Sequence, residues 1–303
     1  MTGPRLAGLV AAPFTPFHAD GAVDEGAIER LAATLAAEGV AGAFVCGTTG
    51  EGASLTIAER RLVAERWVAA APPGLRVVVH VGHACGADCR ELAAHAARIG
   101  AAAVGCLAPY FFRPATVGEL VEFLRPVAAA AGSLPFYYYH IPALTGARFP
   151  MIDFLRAAAE RIPTLAGLKY SHDDLHDVGA CLRFEGGRFD VLFGRDEMLL
   201  GGLACGVTGA VGSTYNYIAG VYHELIAAFR RGDMVAARRL QGIAGDVVDV
   251  MLRHGGLPAG KAIMGLRGLD CGPVRPPLVT LDAGRRAALA RALEPLGFPF
   301  SRA

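Results

Sequence analysis

Eight times between residues 6 and 212, a short apolar run gives way to a glycine or polar turn and then to an alanine-rich amphipathic segment. The runs are Leu6–Phe14, Ala43–Gly47, Arg76–Val81, Ala103–Ala108, Pro135–His140, Leu165–Tyr170, Asp190–Phe193 and Val207–Gly212. Most of them are apolar at nearly every position, whereas a strand wet on one face would alternate. That pattern marks strands buried on both faces, as in a parallel sheet whose crossovers are helices. The spacing predicts those helices at Asp24–Glu38, Ile57–Ala70, Ala87–Ile99, Val117–Ala130, Met151–Arg161, Asp174–Arg183, Glu197–Ala204 and Ile218–Arg231. Eight such units predict an α/β fold, a (β/α)8 TIM barrel. The remaining segment carries helical stretches at Met234–His254, Ala259–Arg267 and Ala283–Leu293, interrupted by Pro273, Pro276 and Pro277. The expected division is a catalytic barrel over 1–231 and a C-terminal helical extension over 232–303.

Composition removes several classes of function. A net charge of +1 with no basic stripe argues against nucleic acid as a partner. No apolar run approaches the ~18 residues of a membrane span, so no membrane partner is expected. The N-terminal apolar residues run straight into the first strand and do not read as a signal peptide. Seven cysteines without a CxxC pair suit a reducing, cytoplasmic setting. His83, Cys85 and Cys89 lie close in sequence, but no fourth ligand is near, and small buried cysteines are common core residues.

Barrel enzymes place their chemistry at the C-terminal ends of the strands. That rule singles out Thr48, Thr49, His80, Pro109, Tyr110, Tyr139, His140, Lys169, Ser171, Asp196, Glu197, Ser213 and Thr214. Lys169 is the most informative. Of 29 basic residues only Lys169 and Lys261 are lysine, and Lys169 follows Leu165, Ala166, Gly167 and Leu168. Arginine keeps its charge, whereas a lysine that sheds its proton becomes a nucleophile. Its amine can attack a ketone to form an iminium ion, an electron sink for an adjacent C–C bond. The competing reading is a packed stem whose charged head reaches water.

Other segments carry weaker signals by themselves. GTTGEG at 47–52 can offer backbone N–H groups and the Thr48 and Thr49 hydroxyls to a carboxylate, but it is neither a P-loop nor a dinucleotide fingerprint. In FYYYHIP at 136–142, alternation puts Tyr137 and Tyr139 on one face and Tyr138 on the other. GRDEML at 194–199 sets Asp196 and Glu197 at a strand end, fit for sugar hydroxyls or a helix cap. His172 and His176, spaced i, i+4, could hold zinc or simply begin a solvated helix. Lys261 reads as a residue packed at a helix surface.

In order along the chain, GTTGEG (47–52), HVG (80–82), APYFFRP (108–114), YHIPALTG (139–146), GLKYS (167–171), GRDEMLL (194–200) and GAVGSTYNY (209–217) resemble one family. It is the family of pyruvate-dependent class I aldolases that holds the N-acetylneuraminate lyases and dihydrodipicolinate synthases. The resemblance leans to the lyase branch through FYYYHIPALTG and GAVGSTYNY. It implies Lys169 as the Schiff-base lysine, Tyr139 as the catalytic phenol, and Thr48 and Thr49 as the holders of a pyruvate carboxylate. Ser171, Gly194, Asp196, Glu197 and Ser213 would line the sugar end of the site. It further implies a cytoplasmic homotetramer acting on a 2-keto sugar acid and pyruvate, with no metal and no organic cofactor. Ser171 stands where many members have threonine. The synthase branch carries an arginine after its YN(V/I)PS motif, and Pro142–Ala143–Leu144–Thr145 holds none. That branch also borrows a tyrosine from a neighbouring subunit, and Tyr110–Phe111–Phe112 lacks the later hydroxyls.

Overall fold

A computed structural model describes residues 5–298. Its centre is a closed barrel of parallel strands in the order of the chain: β1 (Gly8–Ala11), β2 (Gly42–Val45), β3 (Arg76–His80), β4 (Ala103–Leu107), β5 (Phe136–His140), β6 (Leu165–Tyr170), β7 (Asp190–Phe193) and β8 (Gly209–Gly212). β8 returns to β1 in register from Gly8↔Gly209 to Ala11↔Gly212. The expected fold class is the observed one.

Between the strands run α1 (Glu25–Ala37), α2 (Ile57–Ala70), α3 (Gly86–Arg98), α4 (Val117–Ala130), α5 (Pro142–Thr145), α6 (Met151–Ala158), α7 (Leu175–Arg183), α8 (Leu199–Cys205) and α9 (Ala219–Arg230). After the barrel come α10 (Met234–Arg253), α11 (Leu257–Leu266) and α12 (Ala283–Leu293). Residues 1–4 and 299–303 of the expected two-part division lie outside the described residues. Helix starts follow local chemistry. Asp24, Thr56, Thr116, Asp174, Asp233 and Asp282 each accept a backbone N–H from the first turn of the helix they precede, a cap worth about 1 kcal/mol.

The differences from expectation are at element ends. The first strand begins at Gly8 rather than Leu6, because the Leu6 N–H donates to the Asp190 carboxylate at 3.0 Å instead of joining the ladder. Residues 196–198 form a separate 3-10 turn before α8. The single turn of α5, opened by Pro142, was not expected.

Side-chain alternation sorts the core into two parts. Val10, Phe44, Val78, Tyr137, Tyr139, Leu192 and Val211 fill the barrel. Tyr138, Tyr170, Ile28, Trp67, Leu92, Leu124 and Phe154 belong to the layer between strands and helices. Toward the N-terminal ends of the strands, Tyr137 Oη donates to Asp190 Oδ2 at 2.9 Å. Among the described residues, no helix is long and apolar enough to cross a membrane.

Candidate active site

Lys169 points into the barrel and is only 4% exposed. Its register partner on β5 is Tyr139. The lysine Nζ lies 4.0 Å from the centre of the Tyr139 ring and 4.1 Å from that of Phe44, and the two rings meet edge to face. The nitrogen at the end of a flexible stem is thereby held against aromatic walls. Tyr139 Oη reaches the Thr48 hydroxyl at 3.2 Å. The expected lysine, phenol and first threonine therefore meet, although they come from three different strand ends.

Thr48 and Thr49 ride on a tight loop. Its flanking residues Cys46 and Glu51 both have left-handed backbone, φ 57° and 53°, which costs a side-chain-bearing residue about 1–3 kcal/mol. Inside the loop, Glu51 N–H donates to Thr48 O and Gly52 N–H to Gly47 O, both at 3.0 Å. The Thr15 hydroxyl donates to Gly50 O. Beneath it, His80 is buried and stacked edge-on to Tyr139. Burial, and then the Arg60 charge, hold the His80 imidazole well below its ordinary pKa. The ring is therefore neutral, with Nδ1 3.0 Å from Cys46 O. Arg60, 1% exposed, donates to Gly82 O at 2.9 Å and His80 O at 2.6 Å.

The opposite wall is polar. Asp196 is buried, and its Oδ2 accepts the Thr214 N–H at 2.9 Å and the Thr214 hydroxyl at 2.7 Å. Burial raises its pKa, and the two Thr214 bonds pull against that rise. Gly212 leaves the room that the Asp196 carboxylate fills, since a Cβ there would overlap it. Gly194 likewise backs onto the Ser171 hydroxyl. Ser171 and Ser213 are half-buried. Glu197 is turned toward Arg195 in a half-exposed ion pair at 3.0 Å. Thr49 and Glu197 thus lie at the strand ends without joining the Lys169–Tyr139–Thr48 contact.

Some strand-end residues do not face the barrel. His140 has the opposite parity to Tyr139 and is buried against Tyr138, Tyr170 and His172. His172 Nδ1 pairs with Asp173 at 2.9 Å, while His176 is exposed. Among the described residues, no group of three or more His, Cys, Asp or Glu side chains is arranged to hold a metal ion. Phe111 and Phe112, by contrast, are 75% and 85% exposed.

Lys261 is a correction. It was expected at a helix surface, yet it is 3% exposed. Its Nζ donates to Pro273 O at 2.7 Å and sits 2.8 Å from Glu51 Oε1. Helical spacing could not reveal this, because its partners lie in other segments. Phe44 and Arg60 were also missed. Phe44 could have been found from its shared barrel-facing parity, whereas Arg60 sits in ERRLVAER, which reads as a charged surface.

The description "Dihydrodipicolinate synthetase family" fits the chain over residues 5–296. The chain belongs to that family. Within it, the chain is 45% identical to an N-acetylneuraminate lyase of Pongo abelii over 279 residues, covering 90% of this chain and 87% of the relative. It is 41% identical to an N-acetylneuraminate lyase of Gallus gallus over 300 residues, 97% of each chain. The solved structure of Proteus mirabilis N-acetylneuraminate lyase superposes with a TM-score of 0.95 at 43% identity, covering 97% of this chain and all of the other. The family carries out class I aldolase chemistry, and this member is an enzyme of that kind.

Proposed function

We propose that the protein cleaves N-acetylneuraminate reversibly to N-acetylmannosamine and pyruvate. The supporting observation is the contact of Lys169 Nζ with the Tyr139 ring, and of Tyr139 Oη with Thr48, at the mouth of a closed barrel. The relatives that this chain resembles at 41–45% identity bear that activity in their names.

In this reading, Lys169 Nζ attacks the C2 ketone of the open-chain sugar acid, and water leaves as the iminium forms. The C3–C4 bond then breaks, and its electron pair moves into the iminium to give an enamine. The C4 hydroxyl loses its proton as C4 becomes an aldehyde. Tyr139 Oη takes that proton while passing its own to the substrate carboxylate. The proton parked on the carboxylate passes to C3 of the enamine, and water then releases pyruvate and restores the lysine. Thr48 and Thr49 grip the carboxylate. Ser171, Gly194, Asp196, Glu197 and Ser213 line the polyol end, where buried Asp196 accepts sugar hydroxyls on its free oxygen.

The enzyme works without a metal or organic cofactor, as a cytoplasmic homotetramer. Over the described residues, the catalytic barrel ends at 231 and its helical extension begins at 232. Borohydride reduction in the presence of N-acetylneuraminate, followed by peptide mass spectrometry, tests the reading. A three-carbon adduct on Lys169 is expected. An adduct of the intact N-acetylated sugar acid alone would mean binding without cleavage. An adduct with pyruvate but none with the sugar acid would move the activity to another 2-keto acid.

A further inference from the structure

The other lysine of the chain grips the loop on which Thr48 and Thr49 stand. Glu51 ends that loop in left-handed backbone, and its carboxylate is 1% exposed. One oxygen meets Lys261 Nζ of α11 at 2.8 Å, and the other accepts the Arg275 N–H at 2.8 Å. The Lys261 ammonium and the Arg275 guanidinium both lie on the Phe17 ring, at 4.2 and 4.4 Å from its centre. Arg275 further donates to Ser54 O at 3.0 Å and to Glu59 Oε2 at 2.8 Å. Glu51 is therefore held from two points of the segment that follows the barrel.

We propose that Lys261 and Glu51 are positioning residues for substrate carboxylate binding: the buried pair locks the turn that presents Thr48 and Thr49, so the C-terminal extension is a working part of the active site. This rests on the function proposed above, in which those threonines grip the carboxylate. An ammonium suits the position, because it is a compact charge that can face a carboxylate and a carbonyl in a narrow space. Removing it leaves the buried Glu51 carboxylate without its contacting ammonium, an unfavourable state, because the nearby Arg275 guanidinium is bonded to Glu59 instead. The side chain then leaves its site, and the left-handed turn at 51 loses its anchor. Lys169 lies elsewhere, on the barrel wall with Phe44 and Tyr139, and keeps its place.

The test compares two ketones that form Schiff bases, pyruvate and hydroxyacetone, of which only the first has a carboxylate. Borohydride trapping on Lys169 gives a half-saturating concentration for each. In Lys261→Met the value for pyruvate should rise about tenfold, the loss of roughly one charged hydrogen bond, while that for hydroxyacetone stays unchanged. Glu51→Gln should shift pyruvate in the same direction. Adding Glu51→Gln to Lys261→Met should worsen nothing, since no buried charge is then unpaired. If Lys261→Met fails to fold by circular dichroism, Glu51→Gln decides alone. Equal losses for both ketones, or no loss for either, would overturn the proposal. A wild-type protein that traps no pyruvate would instead overturn the proposed function.

Discussion

Lys169 and Tyr139 are register partners on adjacent parallel strands, with the lysine nitrogen 4.0 Å from the centre of the tyrosine ring. Neighbouring strands put their partnered side chains on one face of the sheet. The pairing follows from β5–β6 register, so neither residue depends on a loop to meet the other. Thr48 does depend on a loop, and the consequences of changing each residue differ accordingly.

Lys169→Met should abolish adduct formation and turnover together. Tyr139→Phe should still form an adduct with pyruvate, since the amine and its aromatic wall remain. Its turnover should fall about 10²–10⁴-fold, the usual worth of a positioned proton carrier. Trapping and steady-state kinetics on the two variants separate these outcomes. Equal failure of both would contradict a proton-transfer role for the phenol.

Asp196→Asn should spare the pyruvate end. The change keeps an acceptor for the Thr214 bonds but removes the charge. Pyruvate trapping should stay within about twofold, while the KM for N-acetylmannosamine in the synthetic direction rises roughly 10- to 100-fold, as expected for losing a charged hydrogen bond. A matching change in pyruvate trapping would place Asp196 in the wrong half of the site.

Acid should loosen the brace around Arg275. Bonding to that guanidinium lowers the Glu59 carboxyl from 4.5 to about 2. The folded state therefore binds this proton less readily than the unfolded chain. The stabilisation is complete above about 4.5 and disappears as pH falls through about 2. The Glu59 side chain is a quarter exposed, so solvent reduces its worth. Urea unfolding of Glu59→Gln against wild type should show a difference at pH 6 that narrows toward pH 3. A constant difference would mean that the carboxylate charge contributes nothing.

Chelation should leave turnover unchanged, and so should His172→Ala combined with His176→Ala. The first histidine is tied to Asp173 and the second is exposed. Loss of activity with EDTA, restored by zinc, would revive the metal-dependent reading of that pair.

Thiol reagents should mark Cys85 first, because it is the exposed cysteine among the described residues. Burial pushes the Cys46 thiol up to about 11 despite the nearby Arg60 charge. It should therefore remain unlabelled at neutral pH until the protein unfolds. Labelling of Cys46 at the rate of Cys85 would show that the strained loop opens readily.

The barrel was legible because each strand's apolar run and each helix's periodicity are local properties. β6, β7, α2, α4 and α12 have the expected ends. Leu6 fell outside its strand because a distant aspartate takes its N–H, which no local pattern encodes. The site was legible where strand parity decides, as for Lys169 and Tyr139. Parity also explains His140, since the strand-end rule names it but its odd step from Tyr139 turns it toward the helices. Lys261 was misread because its environment is assembled from residues 17, 51 and 273, far apart in the chain. The usable signal is its rarity, which it shares with Lys169.

The return of β8 to β1 also governs the order of assembly. About 200 residues separate Gly8 from its partner Gly209, so this contact is among the most costly in chain entropy and forms after local units are in place. Until residue 212 has left the ribosome, the open edges of β1 and β7 present unpaired backbone to other chains. Polypeptides released before that point should be insoluble or chaperone-bound, whereas loss of α12 alone leaves every sheet edge paired.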